Sequence, residues 1–274
     1  MPGSTVCLTF DFDALSAWLA YDNVTPAMLH RGEYGARVGV PRVLDFLERE
    51  RLPTTFFVPG HTAESFPRET EAIVERGHEI AHHSYSHIDP STQTRDEERA
   101  DMERAFDALE RFGVTPRGFR SPSADLSDAT LELIAEHGFL YDSSLMDDDY
   151  SPFRPRLGDV VSRTEPLQRG EEAPFWELPM SFELDDWVHF VFNFAPYRRG
   201  GSPPSAVLEI WTGEFDFMHE HVDGGVLTVC MHPQVIGRGH RMTMLERFVA
   251  HCREAGARFA RMVDVAREVE DRGT

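Results

Sequence analysis

A parallel α/β barrel of seven to eight strand–helix units is what this sequence predicts, on three observations. Apolar strand-like runs alternate with amphipathic helical ones along nearly the whole chain. The strand-like runs are close to continuously apolar, as strands buried on both faces must be. Chemically competent side chains follow several of them, at the edge where parallel barrels gather their active sites.

Residues 5–10 (Thr-Val-Cys-Leu-Thr-Phe) read as the first strand. Residues 41–51 read as a helix opened by Pro41, with Val43, Leu44 and Leu47 on one side. The β-branched and aromatic run 54–58 is a strand, and 67–76 a helix closed by Gly77. A strand over 78–82 leads into a long amphipathic helix over 94–112 that stops at Gly113, and 117–120 is a short strand. Ser127 caps a helix whose Leu131, Ile134 and Ala135 precede the terminator Gly138, and 139–142 follows as a strand. Beyond these, 176–180 is a strand, 206–221 a helix, and 225–231 the most apolar run of the chain. A helix over 242–255, a strand over 258–262 and a helix over 263–271 close the pattern. The expected organisation is one catalytic domain over 1–274 with a loop-rich insertion at about 143–205. Its prolines and aromatics suit a functional loop or lid; a flexible surface insertion is the alternative.

With 274 residues, 41% hydrophobic and 27% charged, the chain has the make-up of a folded protein. Its 47 acidic residues outweigh 27 basic ones, for a formal charge of −20. Such a surface repels phosphate backbones and anionic headgroups, so neither nucleic acid nor membrane is an expected partner. No run approaches the roughly 20 apolar residues that span a bilayer, and the first ten residues lack the features of a secretory signal. A cytoplasmic location is the expectation. Cys7, Cys230 and Cys252 form no spaced framework, and the first two suit small buried thiols in apolar strands.

Asp11 and Asp13 follow the first strand, His83 and His87 the third, Arg120 and Asp142 the next two, and His232 the most apolar one. One carboxylate and two imidazoles are a common ligand set for a divalent metal that keeps a position open for water. A second carboxylate beside that water can take its proton. The chain therefore reads as a metal-dependent hydrolase. Plainer readings of the same residues stand beside this one. Asp11 and Asp13 also suit turn caps, Arg120 a surface ion pair, His232 a core histidine, and Trp18 and Trp187 ordinary packing. His78 and His82 share the four-residue spacing of His83 and His87, so spacing alone does not choose the pair. If the strand runs through Ala81, His82 and His83 point to opposite faces and only one of them reaches the site.

Taken in order, the motifs resemble those of the polysaccharide deacetylases, metal-dependent carbohydrate esterases on a distorted barrel of seven or eight β/α units. The family's Thr-Phe-Asp-Asp is similar to Thr9-Phe10-Asp11-Phe12-Asp13, and its His-Ser/Thr-x-x-His to His83-Ser84-Tyr85-Ser86-His87. Its Arg-x-Pro matches Arg120-Ser121-Pro122, and its hydrophobic residue before histidine matches Met231-His232. The resemblance implies that Asp13, His83 and His87 hold a divalent metal, most simply zinc, although cobalt, nickel, iron and manganese use such sets too. It implies that Asp11 is the general base, that Arg120 orients it, and that His232 is the general acid. Glu177 is expected to supply the acid that orients His232, with Asp142 second. Trp18, Pro122, Glu177 and Trp187 are expected around the substrate.

The two aspartates are separated by Phe12 instead of adjacent. That form, with Trp18 shortly after, resembles an intracellular branch that includes cyclic imide hydrolases and relatives of peptidoglycan deacetylases. So do Val38-Gly39-Val40-Pro41-Arg42, Phe57-Val58-Pro59-Gly60-His61, Asp142-Ser143-Ser144-Leu145-Met146 and Met231-His232-Pro233. The expected substrate is a small cyclic imide or amide, or a soluble N-acetyl compound. A peptidoglycan or chito-oligosaccharide N-deacetylase is the alternative, and an inactive carbohydrate-binding barrel an alternative of another class. Related enzymes imply a homo-oligomer. Phe153, Trp176, Phe182, Trp187, Phe190 and Phe192 of the insertion are expected to close a narrow pocket over the metal.

Overall fold

Residues 3–19, 24–192 and 201–273 are described by a computed structural model. Among the described residues ten strands form: β1 (Thr5–Asp11), β2 (Thr55–Val58), β3 (Glu79–His82), β4 (Gly118–Phe119), β5 (Tyr141–Asp142), β6 (Arg156–Leu157), β7 (Glu171–Glu172), β8 (Trp176–Glu177), β9 (Val226–Met231) and β10 (Arg258–Phe259). Eleven α-helices accompany them among the described residues: α1 (Pro26–Tyr34), α2 (Val40–Glu50), α3 (Gly60–Ser65), α4 (Pro67–Glu75), α5 (Arg95–Glu110), α6 (Thr130–Glu136), α7 (Asp186–Phe190), α8 (Pro204–His221), α9 (Pro233–Ile236), α10 (Gly239–Glu254) and α11 (Met262–Gly273).

Eight of the strands make one sheet in which every pairing is parallel. The order runs β1-β2-β3-β4-β5-β8, with β9 along the other side of β1 and β10 beside the first two residues of β1. The sheet curls into a half-barrel flanked by helices, the predicted class. Its open side lies between β8 and β9. There a single parallel bridge joins Asp185 to Cys230, and the Val226 N–H donates to the Tyr150 carbonyl at 2.9 Å. The region 143–205 thus supplies backbone to the seam. It also carries the β6–β7 hairpin, β8 and α7, none of which is an unstructured connection.

Side-chain alternation along the strands builds two layers. Val6, Leu8 and Phe10 of β1 pack with Phe56, Val58, Leu227, Val229 and Met231 against the helices. Cys7, Phe57, Ala81 and Tyr141 belong to the other face and pack with Leu178 and Met262. Asp11 and Asp13 continue the Cys7 face at intervals of two, and His232 continues that of Cys230 in the same way. This periodicity is what brings charged groups together at the carboxyl end of an otherwise apolar sheet.

The sequence reading overlooked α1, although Thr25 caps it, with its Oγ1 accepting the Met28 N–H, and Pro26 opens it. It also overlooked α3 and a π-helical turn over Gly35–Gly39 that joins α1 to α2. The π turn brings backbone against the loop after His232. A Cβ on Gly39 would meet the Pro233 carbonyl oxygen at 2.2 Å. Alanine at a helical glycine ordinarily gains about 1 kcal/mol, but overpacking against fixed backbone costs about 1–3 kcal/mol. Gly39→Ala is therefore expected to destabilise the protein, read as a lower urea midpoint.

Candidate metal centre and its acid–base neighbours

Five side chains converge at the carboxyl ends of β1, β3 and β9. Asp13 Oδ1 lies 3.4 Å from His83 Nε2 and 3.6 Å from His87 Nε2. Asp11 Oδ2 lies 3.8 Å from His83 Nε2 and 4.0 Å from His232 Nε2, which is 3.7 Å from Asp13 Oδ2. All are buried except His87, which is partly so.

The donor set of Asp13, His83 and His87 fits a divalent cation. Their ligand atoms lie within 4.8 Å of one another. Asp13 Oδ1 is buried and has no hydrogen-bond partner, an arrangement that costs free energy unless something positive meets it. His83 Nδ1 is 2.7 Å from the Arg120 carbonyl, which calls for a proton on Nδ1 and leaves the Nε2 lone pair for a ligand bond. Burial acts to raise the Asp13 pKa. The imidazoles of His87, His83 and His232 outweigh it and hold the carboxyl below its usual range.

His82, not His83, is the core histidine. Its ring packs against Phe106, Phe119 and Phe139, and Nε2 is 3.1 Å from the Met102 carbonyl. Burial drives its pKa down to about 3, so it stays neutral. His78 packs on Phe56, away from the cluster. The pair that spacing left open is decided by strand alternation.

Asp11 is held differently. Arg120 Nη1 donates to its Oδ1 at 2.7 Å and to Thr9 Oγ1 at 2.9 Å, while Nε and Nη2 donate to the Ser143 carbonyl and Oγ, each at 3.0 Å. The guanidinium also stacks 4.0 Å above Phe57. Burial works against its charge, but the Asp11 carboxylate overrides this and raises the Arg120 pKa. Cys230 Sγ lies 3.4 Å from Asp11 Oδ2. Asp11 Oδ2 is left facing the cluster while Oδ1 is tied down.

His232 Nδ1 is 2.7 Å from Asp186 Oδ1, and its backbone N–H also donates to that carboxylate, at 3.1 and 3.2 Å to the two oxygens. Burial opposes the imidazolium, but Asp186 and Asp185 outweigh it and push the His232 pKa up to about 10. The expectation for Glu177 is corrected here. Glu177 is fully buried across the barrel, in register with Asp142, and accepts the Ser144 and Leu145 N–H groups at 2.8 and 3.0 Å. Asp142 takes the Ser144 hydroxyl at 2.7 Å. Neither orients His232. Asp186 does, and the available signal was Asp185 as an N-cap to Trp187 N–H at the start of α7.

A cavity of about 390 Å³ opens over the cluster. Ser121, Ser123 and Ala124 line it instead of Pro122, which is buried beneath them. Trp187 lines it, with its ring 5.1 Å from that of His232. Trp18 does not line it; it backs Trp187 at 5.8 Å. Of the six aromatics expected over the metal, Phe182 and Trp187 reach the cavity. Phe190 and Phe192 border a second one. Trp176 packs toward α11 and donates to Glu270 at 2.6 Å, and Phe153 bridges to Glu177.

The turn between the two histidines is strained. Ser84 and His87 sit at φ 58° and 57°; Ala14, next to Asp13, and Ser123 and Ala124 on the cavity wall also have positive φ. Non-glycine residues in this region cost of order 1–3 kcal/mol each and persist when their surroundings over-determine them. Asp101 on α5 supplies that constraint, accepting the Tyr85 N–H at 2.7 Å, the Ser86 N–H at 3.2 Å and the Ser86 hydroxyl at 2.5 Å. Asp101→Ala is expected to weaken metal binding about 10–100-fold, read by competition with a chromophoric chelator, with melting cooperativity retained.

Residues 1–141 match the family model described as polysaccharide deacetylase. A peptidoglycan deacetylase of Helicobacter pylori is 32% identical over 271 residues, covering 93% of this chain and 92% of its own. The chain belongs to the polysaccharide deacetylase family. A peptidoglycan deacetylase-like protein of Gibberella zeae is 28% identical, over 96% of this chain and 85% of its own. A Mycobacterium smegmatis crystal structure assigned to the polysaccharide deacetylases superposes with TM-score 0.86 at 34% identity, over 99% of this chain and 92% of that one. An allantoinase structure shares the fold, with TM-score 0.79 at 23% identity over 96% and 89% of the two chains. Family membership makes this protein a hydrolase of carbon–nitrogen bonds. No described helix is long and apolar enough to cross a membrane.

Proposed function

We propose that this chain is a metal-dependent hydrolase that cleaves an amide carbon–nitrogen bond in a compact substrate, either a soluble N-acetyl compound of one or two sugar units or a small cyclic amide. The observation that carries the reading is the single cavity of about 390 Å³ onto which Asp11, Asp13, His83, His87 and His232 all open. Such a volume is at the lower end of small-molecule sites, and Phe182, Trp187 and Val188 form an apolar wall on one side of it.

Asp13, His83 and His87 would hold the metal. When bound, a divalent cation there supplies Lewis acidity toward the scissile carbonyl and lowers the pKa of water. Asp11, fixed through Oδ1 by Arg120, presents Oδ2 to take the proton of the attacking water. His232, kept protonated by Asp186, donates from Nε2 to the departing nitrogen. As the proton leaves, the short Nδ1–Asp186 contact keeps the ring in place. Trp187 packs against that ring and shields it from bulk water.

Zinc-loaded protein assayed against N-acetylglucosamine, chito-oligomers, succinimide, hydantoin and allantoin tests the reading. Turnover of mono- or disaccharides or of a small ring is the expected result. Activity confined to long chito-oligomers or insoluble glycan would overturn the compact substrate and favour the wall-glycan reading that the peptidoglycan deacetylase relatives support.

A further inference from the structure

Among the described residues, four carboxyls line the metal-site cavity, and three of them are accounted for. Asp11 and Asp13 belong to the centre. Half-buried Asp89 turns Oδ1 to the Ser91 N–H and hydroxyl, at 2.9 and 2.7 Å. The fourth is Asp185, only 8% exposed, whose Oδ1 accepts the Trp187 N–H at 2.7 Å and lies 3.8 Å from His232 Nδ1. Its backbone is fixed by the bridge to Cys230 on β9. Oδ2 has no partner among the described residues, yet unlike Asp142 Oδ2 and Glu177 Oε2 it is not sealed from solvent. The one guanidinium among the described lining residues, Arg120, spends Nε, Nη1 and Nη2 on Ser143, Thr9 and Asp11. Burial pushes the Asp185 pKa up to about 7, with the His232 imidazolium pulling against it, so at about pH 8.5 the group is a carboxylate and Oδ2 an acceptor. A buried acceptor without a donor costs about 1–3 kcal/mol, and a ligand that brings the donor recovers it.

We propose that Asp185 is a specificity-determining residue: its Oδ2 accepts a hydrogen bond from an N–H or O–H on the leaving-group side of the substrate, so the site prefers amides whose departing nitrogen carries such a donor close by. The side of the bond follows from His232. Its Nε2 faces the departing nitrogen, and Asp185 flanks the same ring, with Trp187 packed against it. A second ring N–H of a cyclic ureide or a hydroxyl beside an acetylated amine meets the requirement, whereas succinimide has nothing to offer there. Sites built to pair a substrate donor reject analogues that lack it, because the buried acceptor is then left unpaired. Which half of the substrate lies at Asp185 rests on the hydrolase reading above; the hydrogen bond itself does not.

Two matched pairs test this at about pH 8.5: hydantoin with 1-methylhydantoin, and trans-2-acetamidocyclohexanol with N-cyclohexylacetamide. Within each pair the second compound lacks the donor. Titrated calorimetrically into metal-loaded Asp11→Asn protein, in which turnover is slowed, the donor-bearing member of at least one pair should bind about 10–100-fold tighter than its partner, the worth of a hydrogen bond to a charged group. Adding Asp185→Asn should erase that difference with melting unchanged. The Trp187 N–H still takes the amide oxygen, which leaves the amide NH2, a donor, toward the cavity. Asp185→Ser keeps a capping oxygen and removes the one facing the cavity, so it decides the matter if the Asn protein fails to fold. Equal affinities within both pairs, a preference that survives these substitutions, or no binding of either donor-bearing compound each overturns the assignment. With Asp11 intact, Asp185→Asn should lower kcat/KM for the donor-bearing substrate alone; equal losses on both members would mean that Asp185 acts through His232, and would remove the specificity role. Selective binding without turnover in the parent protein would sink the hydrolase reading and leave the hydrogen bond standing.

Discussion

Chelating the metal, or replacing Asp13 or His83 by Ala, is expected to abolish turnover while the far-ultraviolet circular dichroism stays near that of the starting protein. The expectation follows from where the stabilising contacts lie. The main core, built from Val6, Leu8, Phe10, Phe56, Val229 and Met231 against α2, α8 and α10, includes none of the three candidate ligands. Asp13 also serves the fold through its backbone, whose carbonyl accepts the Ser16 N–H and the Thr62 hydroxyl, and a side-chain substitution leaves those bonds in place. Full activity after exhaustive chelation would sink the metal-dependent mechanism. Unfolding on chelation would instead make the ion structural.

Asp11→Asn is expected to retain the metal and lose about 10²–10⁴ in kcat, the usual worth of a positioned general base. The amide keeps an oxygen for Arg120 Nη1, so the network through Thr9 and Ser143 can persist. Arg120→Ala would not isolate the same effect. It removes the partner of a buried carboxylate, and breaking such a pair costs about 3–5 kcal/mol. The two outcomes separate on metal content and melting: the Asn variant should match the parent in both, and the Ala variant should melt early. An Asp11→Asn protein with near-parental kcat would show that another group takes the proton.

His232→Ala divides substrates by leaving group. An alkylamine needs a proton to depart, whereas an imide nitrogen leaves as a stabilised anion. The variant should therefore slow an N-acetyl amine far more than succinimide in parallel assays. Equal losses on both would make His232 a substrate-positioning group.

Much of the architecture was readable because its determinants are local. Near-continuous apolar runs at β1, β2 and β9 and the glycine stops at Gly77 and Gly138 act within a few residues of themselves. The short strands β4, β5 and β10, two residues each, are shorter than expected, β4 and β5 by two residues and β10 by three, since pairing and not propensity sets where a strand ends. Helix α1 and the π turn escaped because their apolar pattern is weak and glycine at 35 and 39 serves a distant neighbour, the loop at Gln234 and Pro233.

By itself the sequence determined the strand–helix alternation, the i, i+2 placement of Asp11 with Asp13, and the gathering of polar groups at one sheet edge, all consequences of backbone periods acting along a single segment. Only the tertiary structure decided that His83 faces the cluster while His82 enters the helix layer, because that depends on which side of β3 meets Phe106 and Phe139. Only it chose Asp186 over Glu177 as the partner of His232, since the choice turns on how the chain returns across the open side of the sheet at Asp185 and Cys230. The same return sets Trp187 between two cavities. The contacts across that open side, Asp185 with Cys230 and Asp186 with His232, join residues 45 and 46 positions apart, and no local period encodes them.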